Sequence, residues 1–187
     1  MKQVLFLTGP IASGKTYFAK HHAPNHTYLS ISSIVKGLIS STKRSELQDT
    51  GNLDSKIASE TIRFISQSLL TSDKVLIDGV RQLSIIVAIL KYFKTSIITG
   101  DIRFRLIWLE VPEKTLRERY EKQTDKKNDV SFDDAIKRDD ELGLSEIRKI
   151  IINFRCKYDS MMTTCCHGLE PWCEVYELEG EYENNEC

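Results

Sequence analysis

The residues best suited to chemistry are Gly9-Pro10-Ile11-Ala12-Ser13-Gly14-Lys15-Thr16, which spell G-x-x-x-x-G-K-T. Each residue type has a physical use there. Glycines at 9 and 14 admit backbone angles that a side chain would forbid. Successive N–H groups can then turn inward and form a nest for anionic oxygens. Lys15 brings a cation to the β and γ phosphates of a nucleotide, and the Thr16 hydroxyl is a hard ligand for Mg²⁺. A helix starting near Gly14 aims its positive end at the same anion. Gly9 through Thr16 are therefore the candidate ATP-binding residues, with Lys15 also catalytic and Thr16 also a metal ligand.

A second candidate is Asp78, in Val75-Leu76-Ile77-Asp78-Gly79. A continuous apolar run ending in an acid reads as a buried parallel strand with an accessible tip. There Asp78 would hold Mg²⁺ through water beside Thr16. The plain alternative is a turn-capping Asp before Gly. A third feature is cationic. Arg117, Arg119, Arg138, Arg148 and Arg155, with Lys122, Lys126, Lys127 and Lys137, surround the polar stretch 123–134. Phosphoryl transfer works by positioning and electrostatics, so a basic flap closing on a phosphate site fits this pattern. The alternative is a solvated helical face with i,i+4 pairs such as Asp134 with Arg138.

The elements that must position these residues alternate along the chain. Strands are expected at 3–7, 27–31, 75–79, 104–111 and 174–178, from short apolar or β-branched runs. Helices are expected at 14–22, 33–41, 54–70, 82–93, 113–122, 132–140 and 145–160. Ser32 or Ser33 could cap the second helix and Asp54 the third. Gly51-Asn52 marks a turn, and His21, His22 and His26 flank the break at Pro24-Asn25. Such alternation argues an α/β fold with a parallel sheet, which binds ligands at the carboxyl ends of its strands. Gly9 and Asp78 both fall at such ends.

Composition narrows the classes. The chain has 187 residues, 41% hydrophobic and 28% charged, which suits one domain with one good core. Formal net charge is −1, so no global field draws it to nucleic acid or membrane. Residues 174–187 hold six Glu and no Lys or Arg, which leaves a mildly basic body, as a polyphosphate site needs. No apolar run reaches the length of a spanning helix, and the N-terminus lacks a signal-peptide shape. A cytoplasmic enzyme is the expectation. All five cysteines (Cys156, Cys165, Cys166, Cys173, Cys187) fall near the C-terminus. Free thiols in a reducing compartment are the expected state, since Cys165-Cys166-His167 with Cys173 fits zinc-ligand spacing badly.

Over about residues 3–160 the chain resembles the P-loop nucleoside monophosphate kinases, nearest to adenylate kinase in layout. Asp78-Gly79-Val80-Arg81 resembles their D-G-[FY]-P-R signature with one residue missing. The resemblance makes Arg81 a ligand of the acceptor phosphate. Leu109-Glu110-Val111-Pro112-Glu113 through Arg119 resembles their run into the lid, and implies that Arg119 lies against the adenine of ATP. Asp133-Asp134 with Arg138 and Arg148 resembles the lid exit and implies two transition-state arginines. Leu47 through Leu53 with Ile57 resembles the acceptor-binding arm, and Lys36 falls where that family has an arginine for the acceptor phosphate. The chain departs from the pattern at Ala12, Gln123 and Lys36. Lysine cannot make the bidentate fork of an arginine. Dephospho-coenzyme A kinase and virus-type deoxynucleotide kinases share much of this pattern.

The expectation is an α/β three-layer P-loop NTPase fold, with a parallel sheet of about five strands, helices on both faces and a small helical lid. It takes residues 1–187 as one kinase domain, with an acceptor arm at about 33–70, a lid at about 119–148 and an acidic tail at 180–187. ATP is the co-substrate and Mg²⁺ the cofactor. The acceptor is a nucleoside or deoxynucleoside monophosphate, and nucleic acid enters only as an alternative acceptor. Two rivals remain open. One is a kinase acting on an alcohol, such as dephospho-coenzyme A or a modified base in DNA, with Asp78 as base. The other is a nucleotide-binding switch without transfer. Oligomeric state is left open.

Overall fold

The computed structural model describes residues 1–39, 53–123, 130–158 and 174–179, with 152–158 and 174–179 as backbone elements. Five strands form one sheet: β1 (Lys2–Thr8), β2 (Thr27–Ser30), β3 (Lys74–Asp78), β4 (Ile102–Glu110) and β5 (Glu174–Glu179). Their order is β2-β3-β1-β4-β5. The helices are α1 (Lys15–His22), α2 (Ile31–Ile39), α3 (Asp54–Ser68), α4 (Leu83–Tyr92), α5 (Lys94–Ile98), α6 (Glu113–Lys122), α7 (Phe132–Glu141) and α8 (Leu144–Tyr158).

The sheet is built as the apolar runs dictate. Val4 and Phe6 face one side of β1, while Leu5 and Leu7 face the other, the period of two that a strand imposes. Both sides are buried, as a central parallel strand requires. On the first side, α2, α3, α4 and α8 contribute Val35, Ile57, Ile65, Ile85, Ile89, Ile147 and Ile151. Each fully buried side chain of this size adds about 1.5–3 kcal/mol. On the second side, α1 contributes Phe18 and Ala19 against Leu76, Ile107 and Leu109. The result is the expected three-layer α/β arrangement.

Strands β1 to β4 are mutually parallel, but β5 runs antiparallel to β4. This corrects the expectation of a wholly parallel sheet. Its sequence, Glu174-Val-Tyr-Glu-Leu-Glu, alternates instead of running apolar. An edge strand on an otherwise parallel sheet has that pattern, and antiparallel edges of this kind are common. Local expectations are corrected too. Asp54 is the first helical residue of α3, not its cap, and its carboxylate accepts from Ser84 Oγ. Helix α2 starts at Ile31, ahead of Ser32 and Ser33, with Ser33 Oγ donating to the Ser30 carbonyl at 2.6 Å. The apolar helix after β3 ends at Tyr92, and a separate short α5 follows. The Gly51-Asn52 turn, the run Leu47 to Asn52, the lid residues 124–129, the cysteine-rich stretch and the acidic tail lie outside the described residues.

Register fixes the site. Leu7 pairs with Asp78 on one side and Ile107 on the other. The chain leaves β1 for β2 and β3 on one flank and reaches β4 on the opposite flank. The strand order therefore reverses at β1, and the crevice at its carboxyl end is where such sheets take ligands.

Candidate nucleotide-binding site

The loop after β1 is shaped by backbone, not by side-chain chance. Gly9 has φ +142°, and a Cβ there would meet the Leu109 carbonyl oxygen at 2.9 Å. Only glycine lets the loop pass that close to β4. Ala12 (φ 59°) and Gly14 (φ 91°) are also left-handed. Gly14 caps α1 and has no side chain to accept from the first-turn N–H groups. An anion is the natural complement of such a helix start. Ile11 is buried among Val111, Leu116, Tyr120, Phe132 and Ala135, which ties the loop to the base of the lid.

The Lys15 ammonium lies over this loop. Its Nζ donates to the Gly9 carbonyl at 2.9 Å, the Pro10 carbonyl at 2.7 Å and Ser13 Oγ at 3.2 Å. Ser13 is almost fully buried, so that acceptor is fixed. The neighbouring strand ends are tied together as well. Thr8 Oγ1 donates to the Val80 carbonyl at 2.7 Å, and the Gly79 N–H donates to the Leu7 carbonyl at 2.9 Å. These two bonds lock the Asp78-Gly79-Val80-Arg81 turn against the phosphate loop.

Asp78 is 5% exposed. Its Oδ2 accepts from the Tyr28 hydroxyl at 2.7 Å. Its Oδ1 is buried with no hydrogen-bond partner among the described residues. Tyr28 and Asp78 thus form one cluster, and Ser30 and Thr16 lie close enough to the Tyr28 hydroxyl to favour its ionised form slightly. Burial, and then the bond to Asp78, hold the Tyr28 phenol far above its ordinary pKa. It is therefore a protonated donor at any working pH. A buried carboxylate oxygen without a partner is costly unless a ligand completes it. With an alcohol oxygen and a carboxylate at hand, the donor set suits a hard, oxygen-seeking cation such as Mg²⁺.

Two of the other candidates, Arg119 and Arg81, lie at the same edge. Arg119, on α6, brings Nη1 to 3.8 Å from where a Cβ on Gly14 would stand, so its guanidinium borders the phosphate loop. Arg81 Nη1 pairs with Asp139 Oδ1 at 2.9 Å, and Asp139 is 1% exposed. Arg138, one residue before Asp139 on α7, has Nη1 buried with no hydrogen-bond partner among the described residues. Arg148 is engaged elsewhere. Its guanidinium makes a two-pronged contact with Glu110 at 2.8 and 2.9 Å, and Glu110 also takes the Trp108 indole N–H at 2.5 Å. Lys36 stands half-buried on α2, and no hydrogen bond or ion pair among the described residues joins it to the phosphate loop.

The lid base is held by surface charge. Arg117 pairs with Asp133 at 2.6 Å and Glu113 at 3.3 Å, with its guanidinium 4.6 Å from the Phe132 ring centre. The Arg117 guanidinium holds the Asp133 carboxyl below its ordinary range. Asp134 bonds with Ser131 in a capping arrangement, not with Arg138 as the helical-face alternative would have it. His21 stacks on Tyr17 at the end of α1, and burial followed by nearby Lys74 lowers the His26 pKa. Sequence reasoning missed Tyr28 and Asp139. The strand register would have exposed Tyr28, since Ser30 pairs with Asp78 and Tyr28 with Leu76 on the same sheet face.

A family model described as an AAA domain matches residues 5–142. The chain belongs to that AAA-domain family. The match runs from β1 to α7 and so contains the phosphate loop, Asp78, Arg81, Arg119, Arg138 and Asp139. This AAA-domain family is of P-loop NTPase type and includes many kinases, and its domains typically bind ATP with Mg²⁺. The protein is thus a P-loop, kinase-like nucleotide-binding domain. No curated protein matches the sequence. No helix among the described residues is long and apolar enough to cross a membrane.

Proposed function

We propose that this protein is a cytoplasmic kinase that moves the γ-phosphoryl group of ATP to a small phosphorylated acceptor, a nucleoside or deoxynucleoside monophosphate. The observation that carries the reading is Arg119. Its guanidinium arrives from the lid side and borders Gly14, beside Lys15. An arginine there can serve ATP, as the resemblance implies, and it supplies the kind of cation that transfer needs around the moving charge.

The loop N–H groups of residues 9–16 bind the donor phosphates, and Lys15 follows the transferring group. Thr16 and Asp78 would hold Mg²⁺, which when bound neutralises charge on the β and γ oxygens. Arg81, oriented by Asp139, and Lys36 would bind the acceptor phosphate. Arg138, with its inward nitrogen, and Arg148, released from Glu110, would join Arg119 as the lid closes. The acceptor oxygen forms a bond to the γ phosphorus as the bond from phosphorus to the β–γ bridging oxygen breaks, and ADP departs. No general base is required, because a phosphate monoester is already largely anionic at neutral pH. The domain reading takes 1–187 as one unit, with the acceptor arm at about 33–70 and the lid at about 119–148.

A second reading has one observation in its favour. Asp78 already accepts an O–H donor, from Tyr28. An alcohol acceptor would donate to the same carboxylate, which would then take its proton. A coupled assay of ADP release separates the two. The protein is offered each ribo- and deoxyribonucleoside monophosphate, then dephospho-coenzyme A and DNA oligomers. Strong stimulation by one or a few monophosphates is the expected result. Turnover with an alcohol alone would transfer the role of base to Asp78, and silence with every acceptor would remove the kinase reading.

A further inference from the structure

Tyr28 is not part of the phosphate loop or of the D-G-x-R turn, and it lies on the edge strand β2. It is nonetheless the donor that occupies one oxygen of the buried Asp78 carboxylate, at 2.7 Å. A carboxylate rotates about its terminal bond, and its two oxygens are chemically equal. The bond from Tyr28 removes that equality. It fixes Oδ2 and leaves Oδ1 as the oxygen without a partner among the described residues. Asp78 pairs in register with Leu7 at the end of β1, so the carboxylate stands beside the start of the phosphate loop.

We infer that Tyr28 is a positioning residue for the metal site, which presents Asp78 Oδ1 in the orientation that a divalent cation beside Thr16 requires. The inference rests on the proposed Mg²⁺ role of Thr16 and Asp78. Groups that orient a metal-binding carboxylate typically change metal affinity by about 10–100-fold when removed. Tyr28 is well suited to this work. The ring is partly exposed while its hydroxyl is committed inward, and β2 is anchored by its parallel register to β3.

The test is Tyr28→Phe, which keeps the ring and deletes the hydroxyl. Mn²⁺ binding to the ATP complex is followed by loss of the free-ion electron paramagnetic resonance signal. ATP binding is measured separately by calorimetry in EDTA, and circular dichroism monitors the fold. The expected result is a loss of about tenfold or more in Mn²⁺ affinity, with ATP affinity in EDTA unchanged within about twofold. Equal or tighter Mn²⁺ binding by the variant overturns the inference. So does a parallel loss of ATP binding in EDTA or of the folded signal, which would make Tyr28 merely structural. If the wild-type ATP complex itself takes up no Mn²⁺, the proposed metal site falls and the inference with it. Binding by wild type that Tyr28→Phe does not alter removes the inference alone.

Discussion

At the phosphate loop, Lys15 is held by two main-chain carbonyls and a buried serine, over a loop with three left-handed residues. At the lid base, Arg117 is held by Asp133 and Glu113 across an exposed surface. The first arrangement is set by backbone geometry and strand register. The second depends on flexible side chains meeting in water, where a pair is weak and screened by salt. A preorganised site costs no rearrangement when charge develops. A site of exchangeable pairs can reorganise, and Arg148 on Glu110 is of this second kind, with the Arg148 side chain about half exposed. The molecule thus fixes its donor site by backbone and holds part of its cation set in side-chain pairs that water can exchange.

Four changes would break or sharpen this contrast. Lys15→Ala removes the fixed cation, and turnover in the ADP-release assay should fall by a factor of at least about 10²–10³ with the fold retained. Wild-type rates would mean that the loop does not carry the chemistry. Asp139→Ala leaves Arg81 partly buried without its acid, and should cost about 3 kcal/mol by urea denaturation. A loss near zero would show that the pair is as dispensable as a surface bridge. Gly9→Ala drives a Cβ toward the Leu109 carbonyl and should cost about 2 kcal/mol, read as a fall in melting temperature of about 4–8 °C. An unchanged melting temperature would mean that the loop is not held by its backbone.

The smallest effect belongs to the lid base. Arg117 depresses the Asp133 pKa, so the pair's contribution is full above the ordinary carboxylate range. It is lost as pH falls through the lowered folded-state value. Carboxyl NMR titration should place the Asp133 midpoint below that of an ordinary aspartate, and Arg117→Ala should return it. At neutral pH the same substitution should lower the melting temperature only slightly, because a surface pair contributes little. A large shift would put Arg117 in the same class as Lys15.

The difference between the regions also governs what the sequence revealed. Gly9, Gly14, Lys15 and Thr16 are legible because their work depends on a short chain segment with its own backbone demands. Asp78 is legible because a buried apolar strand announces its own end. The alternation of strands and helices gave four of the five strand directions, but β5 needed its partner to be seen. Tyr28 and Asp139 were hidden for the same reason. Each acts through a residue distant in sequence, so only the register of β2 with β3, or the packing of α7 beside Arg81, brings the pair together. The lid arginines were legible as a group but not singly. Arg119 borders the loop, Arg138 turns a nitrogen inward, and Arg117 and Arg148 bind acids instead. Composition alone cannot choose among such partners.

The most direct test of the central claim follows the phosphorus itself. ATP labelled with ³²P at the γ position is incubated with the protein, Mg²⁺ and the monophosphate that most stimulates ADP release, and the products are separated. The label should appear on the nucleoside diphosphate, and it should not do so with Lys15→Ala. Label recovered only as inorganic phosphate, or retained in ATP, would contradict a kinase built on this loop.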